Sequence, residues 1–186
     1  CIVDAAMLET ALAWQGFNFA NFEGGGSWPE RMGLQGPLLV PNGGFEAADG
    51  TLVMTIGTPA QFTRFCQVLQ RGDLLDDPRF ASNDGRVSNR VAFNETVNKT
   101  LRGKTRAEWN LLLNAVDVPN SPLMNLGETM AHPQTQATGI VQKSPDGGFE
   151  LIGAPLCFDG ERPPFSRTAP ELGEANQEVF AFMKDG

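Results

Sequence analysis

The chain has 186 residues, of which 41% are hydrophobic, so a buried core can form and wholesale disorder is excluded. Its formal net charge at pH 7 is −8 and no basic run occurs, which argues against nucleic-acid binding, because phosphates must be neutralised by lysine and arginine. No apolar run approaches the roughly 18–20 residues of a membrane span, and no secretory signal pattern is present. We therefore expect a cytoplasmic protein with no membrane partner and no nucleic-acid partner.

The cysteines and the single histidine form neither a metal-binding nor a disulfide pattern. The chain has three cysteines, Cys1, Cys66 and Cys157, which lie far apart in the sequence. A disulfide framework or a zinc site is therefore not expected, and we expect the protein to lie in a reducing compartment. His132 precedes a proline and is expected to cap a helix or lie on the surface. No metal site and no catalytic residue is assigned from these residue types.

The first forty residues predict a helix followed by a linker. Asp4 is the expected N-cap of a helix that runs to about Asn21. The apolar stripe of this helix comprises Met7, Leu8, Ala11, Leu12 and Phe19. Residues 22–41 then show neither helical nor strand periodicity of apolar residues, and their densest glycine run is Gly24-Gly25-Gly26. Such a run could bring backbone N–H groups close to an anion, but a turn or linker is favoured, because the phosphate-loop pattern is absent.

Residues 43–59 predict a β-hairpin followed by the start of a helix. Asp49-Gly50 supplies the positive-φ turn that a short hairpin needs. One face of the second strand carries Leu52, Met54 and Ile56. Thr58 is expected to cap the helix that Pro59 opens, since proline lacks the N–H that would be unpaired there.

Three amphipathic helices are predicted after this point. The first runs from about Pro59 to Gln70 and stops at Gly72, the second runs from Asp84 to Gly103, and the third opens at a capping box from Thr105 to Glu108. Their expected buried residues are Phe62, Phe65, Cys66 and Leu69, then Phe93, Val97 and Leu101, then Trp109, Leu112, Leu113 and Val116. Residues 43–118 therefore predict a compact α+β unit.

Beyond residue 138 the sequence predicts a second hairpin and a closing helix. Residues 140–143 and 149–152 flank Asp146-Gly147-Gly148, a turn signal. The closing helix is expected at residues 173–184, and its inward residues are expected to be Val179, Phe180 and Met183.

Two charged clusters have an ordinary structural interpretation. The acidic cluster lacks the spacing of a calcium loop and is expected to be solvated; it comprises Asp73, Asp76, Asp77 and Asp84. The arginine cluster could contact a phosphate, but ion pairs with these aspartates are favoured; it comprises Arg79, Arg86 and Arg90. Cys66 lies on a buried stripe and is expected to be inert.

Ten short segments occur in an order and spacing that resemble one known family, and together they cover essentially the whole chain. They are Val3-Asp4-Ala5-Ala6-Met7-Leu8; Pro29-Glu30-Arg31-Met32-Gly33; Pro41 through Asp49-Gly50; Asp77-Pro78-Arg79-Phe80; Arg86 with Asn89-Arg90; Thr105 to Trp109; Val118-Pro119 with Ser121-Pro122; His132-Pro133-Gln134; Ala154-Pro155; and Ala169-Pro170-Glu171-Leu172-Gly173-Glu174. The chain resembles the C-terminal half of a family III CoA-transferase of the CaiB/BaiF type. That group includes formyl-CoA transferase, carnitine CoA-transferases and α-methylacyl-CoA racemases.

The resemblance implies an α+β fold and a domain organisation. Residues 1–39 would form a helix and a glycine-rich linker of a large Rossmann-like domain. Residues 40–135 would form a small α+β domain with short antiparallel hairpins and several helices, and residues 136–186 would return toward the large domain. Two chains of this family interlock as linked rings, so a dimeric homo-oligomer is expected. The start at Cys1 rather than Met fits a fragment, with a processed or renumbered N-terminus as the alternative.

The resemblance also implies a chemistry. In this family an aspartate attacks an acyl-CoA thioester, forms a mixed anhydride and passes CoA to a second carboxylic acid, so an acyl-CoA and a carboxylic acid are the expected partners and no separate cofactor is expected. That aspartate lies upstream of the segment matched by residues 3–8, so Asp4 is not the nucleophile. The substrate-loop candidates are Gly24, Gly25, Gly26, Gly33, Gln35 and Gly36. Leu34 stands where the family usually has asparagine.

The expected function is that of part of an acyl-CoA:carboxylate CoA-transferase that is inactive alone. One alternative is a non-catalytic binding or assembly module that retains the small domain. Another is half of an acyl-CoA racemase, which is disfavoured because no carboxylate or histidine stands near Pro59, where the helix after the first hairpin begins.

Overall fold

The computed structural model describes residues 2–184, which form ten α-helices and five β-strands. The helices are α1 (Met7–Trp14), α2 (Gly16–Glu23), α3 (Pro59–Val68), α4 (Asp73–Asp76), α5 (Asn83–Ser88), α6 (Arg90–Leu101), α7 (Arg106–Asn114), α8 (Leu126–Ala131), α9 (Pro133–Ala137) and α10 (Asn176–Lys184). The strands are β1 (Asn42–Ala47), β2 (Gly50–Thr55), β3 (Asn120–Pro122), β4 (Val141–Lys143) and β5 (Glu150–Ile152). The predicted α+β class is confirmed.

The chain divides into two compact units, one that ends at Leu123 and one that begins at Met124. In the first unit β1, β2 and β3 form an antiparallel sheet in that order. The predicted hairpin is present, with Phe45 opposite Leu52. Gly50 begins β2 at φ 141°, a backbone conformation that favours glycine.

The core of the first unit lies where α3, α6 and α7 pack with the sheet. Its buried apolar residues are Val40, Phe45, Ala47, Leu52, Met54, Ile56, Phe62, Phe65, Cys66, Leu69, Leu74, Phe80, Phe93, Val97, Leu101, Trp109, Leu113 and Val118. The indole Nε1 of Trp109 donates to the Leu101 carbonyl at 2.7 Å, so the polar group of this buried ring is paired. Every core position predicted on α3 and its C-terminal end and on α6 is buried, namely Phe62, Phe65, Cys66, Leu69, Phe93, Val97 and Leu101.

The predicted Thr58 cap and the predicted capping box at Thr105 are confirmed, and Thr58 also forms a full capping box. The Thr58 side chain accepts from the Gln61 N–H and the Gln61 side chain accepts from the Thr58 N–H, at the start of α3. Thr105 and Glu108 make the same reciprocal pair at the start of α7. These caps fix where the two helices begin, because they pair donors that the first helical turn leaves unbonded.

The single helix predicted from Asp4 is wrong in two respects. The helix begins at Met7, after an extended Ala6, and Asp4 does not cap it. It also breaks at Gln15, where ψ is 3°, and resumes as α2 from Gly16. The low helix propensity of glycine favours this break.

Three further details of the predicted helices differ from the structure. The helix predicted from Asp84 divides at Asn89, whose side-chain amide donates to the Gly85 carbonyl and competes with helical bonding. Helix α3 is terminated by Gln70, which adopts a left-handed conformation at φ 56°, and the Arg71 N–H donates to the Cys66 carbonyl. The helix therefore ends before Gly72, the residue predicted to end it. Leu112 is 42% exposed, because only the Trp109–Leu113 side of α7 faces the core.

The second unit contains the predicted second hairpin, with Gln142 of β4 opposite Leu151 of β5. His132 is confirmed as a cap: its Nδ1 accepts from the Gln134 N–H at the start of α9. The prediction that Val179, Phe180 and Met183 of α10 face inward is wrong, since all three are exposed. The described part of the second unit provides no cover for that helix face.

Candidate functional site

The glycine run at residues 24–26 ends helix α2. The Gly25 N–H donates to the Phe22 carbonyl and the Gly26 N–H donates to the Asn21 carbonyl, both at 3.0 Å. With Gly25 at φ 96°, this is the Schellman arrangement that closes helices. The Gly24 N–H also bonds to a carbonyl of α2. The run therefore acts as a helix cap, and its N–H groups are already used.

Residues 33–38, which we call the docked segment, lie along the outer edge of β1. Gln35 pairs with Gly43 in an antiparallel bridge, and the Gly44 N–H donates to the Leu34 carbonyl at 3.0 Å. A Cβ atom on Gly43 would overlap that carbonyl oxygen, and Gly43 is at φ 141°. The close approach of the segment therefore requires glycine at position 43.

Gly36 and Gln35 hold the docked segment through their own contacts. The Gly36 N–H donates to the Asn42 carbonyl at 2.8 Å, and a Cβ on Gly36 would overlap the Asn42 side chain. The Gln35 side-chain amide donates to the Gly44 carbonyl at 2.7 Å. Gly33, at φ 60°, begins the segment with open space around it.

Two of the three clustered arginines bind backbone carbonyls, so the predicted ion pairs hold only for Arg79, which pairs with Asp77 at 2.7 Å. The buried Arg86 donates to the Val40 carbonyl at 2.5 Å and the Phe80 carbonyl at 2.8 Å. Arg90 donates to two carbonyls of the docked segment, those of Gly36 and Pro37. Burial lowers the pKa of both guanidinium groups from the ordinary arginine value. The partners of Arg86 and Arg90 include main-chain carbonyls of distant segments. Every residue has such a carbonyl, so the sequence does not show which one an arginine will bind.

A cavity of about 440 Å³ lies between the end of α2 and the docked segment. Its lining residues are Asn18, Asn21, Gly26, Ser27, Trp28, Pro29, Glu30, Met32, Pro37 and Leu38. Of the predicted loop residues, Gly26 lines this cavity, whereas Gly33, Gln35 and Gly36 support the adjoining wall. Asn18 and Asn21 of α2 also line it, and the sequence analysis did not name them as site residues. The stacked rings of Phe22 and Trp28, 3.7 Å apart, hold one side of it.

The lining is suited to a neutral ligand more than to an anion. Glu30 is its charged member, and its other polar members are side-chain amides, a hydroxyl and backbone groups. A second, mainly apolar cavity of about 610 Å³ shares Asn18, Trp28 and Pro29 with the first. Asn18, Trp28 and Pro29 therefore lie between a cavity of mixed polarity and a mainly apolar one within the first unit.

The acidic groups and the thiol with displaced pKa values are not among the residues that line this cavity. The Arg71 side chain lowers the pKa of Asp73, and the Arg79 side chain lowers the pKa of Asp77. Both acids are thus ionised members of surface pairs, as the solvated-cluster interpretation predicts. Burial raises the pKa of the Cys66 thiol to about 12, which confirms it as an inert core residue.

Two features are absent from the part of the chain that the structure describes. No group of three or more histidine, cysteine, aspartate or glutamate side chains among residues 2–184 could hold a metal ion. Over the same residues, none of the helices has both the length and the apolar character that a membrane crossing requires.

The sequence and the fold both match a known class of CoA-transferases. A family model described as CoA-transferase family III matches residues 1–176, and the chain belongs to that family. The resemblance read from the ten sequence segments is confirmed.

Curated relatives and solved structures support this assignment. The chain is 31% identical over 173 residues to acetyl-CoA:oxalate CoA-transferase of Acetobacter aceti, covering 92% of this chain and 44% of that protein. It is 31% identical over 191 residues to succinate–glutarate CoA-transferase of Agrobacterium fabrum, covering 98% and 46%. A CaiB/BaiF family protein from Brucella suis superposes with a TM-score of 0.78 at 25% identity, covering 92% of this chain and 45% of that one. The chain spans about half the length of the curated relatives it matches.

Proposed function

We propose that this chain is part of an acyl-CoA:carboxylate CoA-transferase, in which it supplies the small domain and one wall of the acyl site. The family match over residues 1–176 carries the proposal. The two relatives with 31% identity transfer CoA between carboxylic acids, according to their names. Short acyl-CoA thioesters and dicarboxylates such as oxalate, succinate and glutarate are therefore the substrates to test first.

The nucleophile of the reaction comes from outside these 186 residues in this proposal. The family resemblance places the aspartate upstream of the segment at residues 3–8. Five described carboxylates have displaced pKa values, and in each case hydrogen bonds or nearby cations lower the pKa. They are Asp49, Asp73, Asp77, Glu108 and Asp146. None of these five lines the cavity beside the docked segment. The chain alone is accordingly expected to be inactive.

The contribution of this chain to chemistry is positional. Binding of the acyl group beside residues 24–38 would hold the thioester carbonyl for attack by the upstream carboxylate, which forms the acyl–aspartyl anhydride and releases the CoA thiolate. The side-chain amides and the hydroxyl of the lining would contact the uncharged thioester group. The free carboxylate of a dicarboxylic acyl group and the CoA phosphates would contact other parts of the enzyme.

We also propose a homo-oligomer in the cytoplasm. The apolar stripe of α1 and α2 supports an assembly, because Met7, Leu8, Leu12 and Phe19 are all more than half exposed in this chain. Exposed apolar side chains that recur along two consecutive helices are typical of surfaces that another part of a protein covers.

A fusion enzyme tests the proposal. It consists of the upstream part of the Agrobacterium fabrum relative, which this chain does not match, followed by all 186 residues of this chain. We expect the fusion to transfer CoA from succinyl-CoA to glutarate or oxalate, whereas this chain alone and the upstream part alone do not. Product thioesters are separated and identified by mass. A fusion that folds and gives no transfer with any of these acids would contradict the proposal.

A further inference from the structure

The first residue of α6 is an arginine, which helix stability does not explain. Arg90 occupies the positive end of the helix dipole, where a cation is unfavourable and an acidic residue is preferred. The first turn of α6 contains no acidic residue, and the Asn89 N-cap makes no side-chain cap bond. Arg90 therefore has a role beyond its own helix.

The guanidinium of Arg90 binds two successive carbonyls of the docked segment. Its Nη1 donates to the Gly36 carbonyl and its Nη2 donates to the Pro37 carbonyl, each at 2.7 Å. No ion pair joins Arg90 to a carboxylate within residues 2–184. The rigid fork of arginine can hold two adjacent acceptors at once, which a lysine ammonium does less well.

The same face of α6 holds the preceding residue of the segment. Asn94 lies one turn after Arg90, and its side-chain amide donates to Gln35 Oε1 at 3.2 Å. Helix α6 thus contacts three consecutive residues of the segment, Gln35, Gly36 and Pro37. On its other side the segment is held by the edge of β1.

The residues held in this way form part of the cavity wall. Pro37 lines the cavity directly, and Leu38 follows it in the lining. We propose that Arg90 is a positioning residue for the transferase: it fixes the docked segment so that the acyl-site wall is formed before substrate arrives. This inference rests on the proposed function.

Loss of the clamp would weaken substrate binding more than it slows chemistry. If the segment adopts the binding position for only part of the time, the apparent dissociation constant rises in inverse proportion to that fraction. We expect Arg90→Ala in the fusion enzyme to raise KM for succinyl-CoA about tenfold, with kcat changed by less than about twofold. Arg90→Lys keeps the charge but not the fork, and is expected to raise KM by a smaller factor.

The matched control is Arg102→Ala, which removes an exposed arginine at the other end of α6. Amide hydrogen exchange of residues 34–39 in the full 186-residue chain gives a second readout. It should increase at least tenfold in Arg90→Ala and stay unchanged in Arg102→Ala, with the exchange of core amides unaltered.

Three outcomes would overturn the inference. The first is an unchanged KM in Arg90→Ala while the exchange of residues 34–39 increases. The second is an equal effect of Arg102→Ala on KM. The third is the absence of transfer by the unmodified fusion, which would overturn the proposed function together with this inference. The first two outcomes require an active fusion and leave the proposed function standing, so the two failures are distinguishable.

Discussion

The guanidinium carbon of Arg86 lies 3.8 Å from the centroid of the Phe62 ring, in the core of the first unit. Its charge is satisfied by the carbonyls of Val40 and Phe80 and by the ring face, and no carboxylate among the described residues pairs with it. This buried cation joins α5 to the stretch that leads into β1.

Replacement of Arg86 by alanine should destabilise the chain strongly. The change leaves two buried carbonyls without donors and removes the contact with Phe62, so we expect the free energy of unfolding to fall by about 3 kcal/mol. Urea unfolding followed by tryptophan fluorescence measures this. Arg79→Ala is the control, because Arg79 is exposed and pairs with Asp77 at the surface; it should change stability by less than about 0.5 kcal/mol. Similar effects of the two substitutions would contradict the account.

Substitution of Gly43 by alanine should release the docked segment. The added Cβ would overlap the Leu34 carbonyl at a positive φ that alanine rarely adopts, so we expect a loss of about 2 kcal/mol. Hydrogen exchange should increase at the Gly44 and Gly36 N–H groups. Gly72→Ala, where no atom lies within 4 Å of the new Cβ, is the control and should leave both unchanged. Retained protection in Gly43→Ala would show that the segment does not need this close approach.

Substitution of Gln70 by glycine should stabilise the chain. Gln70 adopts φ 56° at the end of α3, a conformation that costs a non-glycine residue about 1 kcal/mol, so a gain of roughly 0.5–1 kcal/mol is expected. Gln67→Gly, within the same helix, should have the opposite sign and lose about 1 kcal/mol. Thermal unfolding of both variants measures the difference. A loss of stability in Gln70→Gly would refute the assigned helix end.

The Cys66 thiol should resist alkylation while the chain is folded. Because burial raises its pKa to about 12, the thiolate is scarce at pH 8, whereas the exposed Cys157 can react. Peptide mapping after iodoacetamide treatment, with and without denaturant, measures this.

The same shift predicts how stability depends on pH. The Cys66 contribution is fully present below the unfolded-state pKa near 9.0 and is lost as the pH rises toward 12. Cys66→Ala should remove this dependence. Rapid alkylation of Cys66 in the folded chain at pH 8 would contradict its burial.

Local sequence signals predicted much of the first unit. The capping boxes at Thr58 and Thr105 use contacts three residues apart, and the apolar positions of β2 and α3 follow from simple periods. These features depend on neighbours in the sequence, so a single sequence is enough to locate them. The hairpin at β1 and β2 belongs to the same class.

Contacts between distant segments were harder to predict. Arg86 and Arg90 bind carbonyls 46 and 54 residues away, and a carbonyl has no side-chain identity that could mark it as the partner. Position 43 requires glycine because the Leu34 carbonyl lies where a Cβ would be, and this contact exists only in the folded chain. The left-handed conformation of Gln70 was missed because glycine usually takes that position. The candidate cavity depends on such contacts, and the two α2 residues in its lining, Asn18 and Asn21, carry no local signal that would mark them.

The position of the covalent intermediate tests the central claim most directly. The fusion enzyme is incubated with succinyl-CoA, treated with hydroxylamine to convert an acyl–aspartyl anhydride into a stable hydroxamate, and digested for peptide mass analysis. The account predicts the modified aspartate in the upstream part and none within the 186 residues of this chain. A hydroxamate on a carboxylate of this chain, formed in the fusion or in the chain alone, would contradict it.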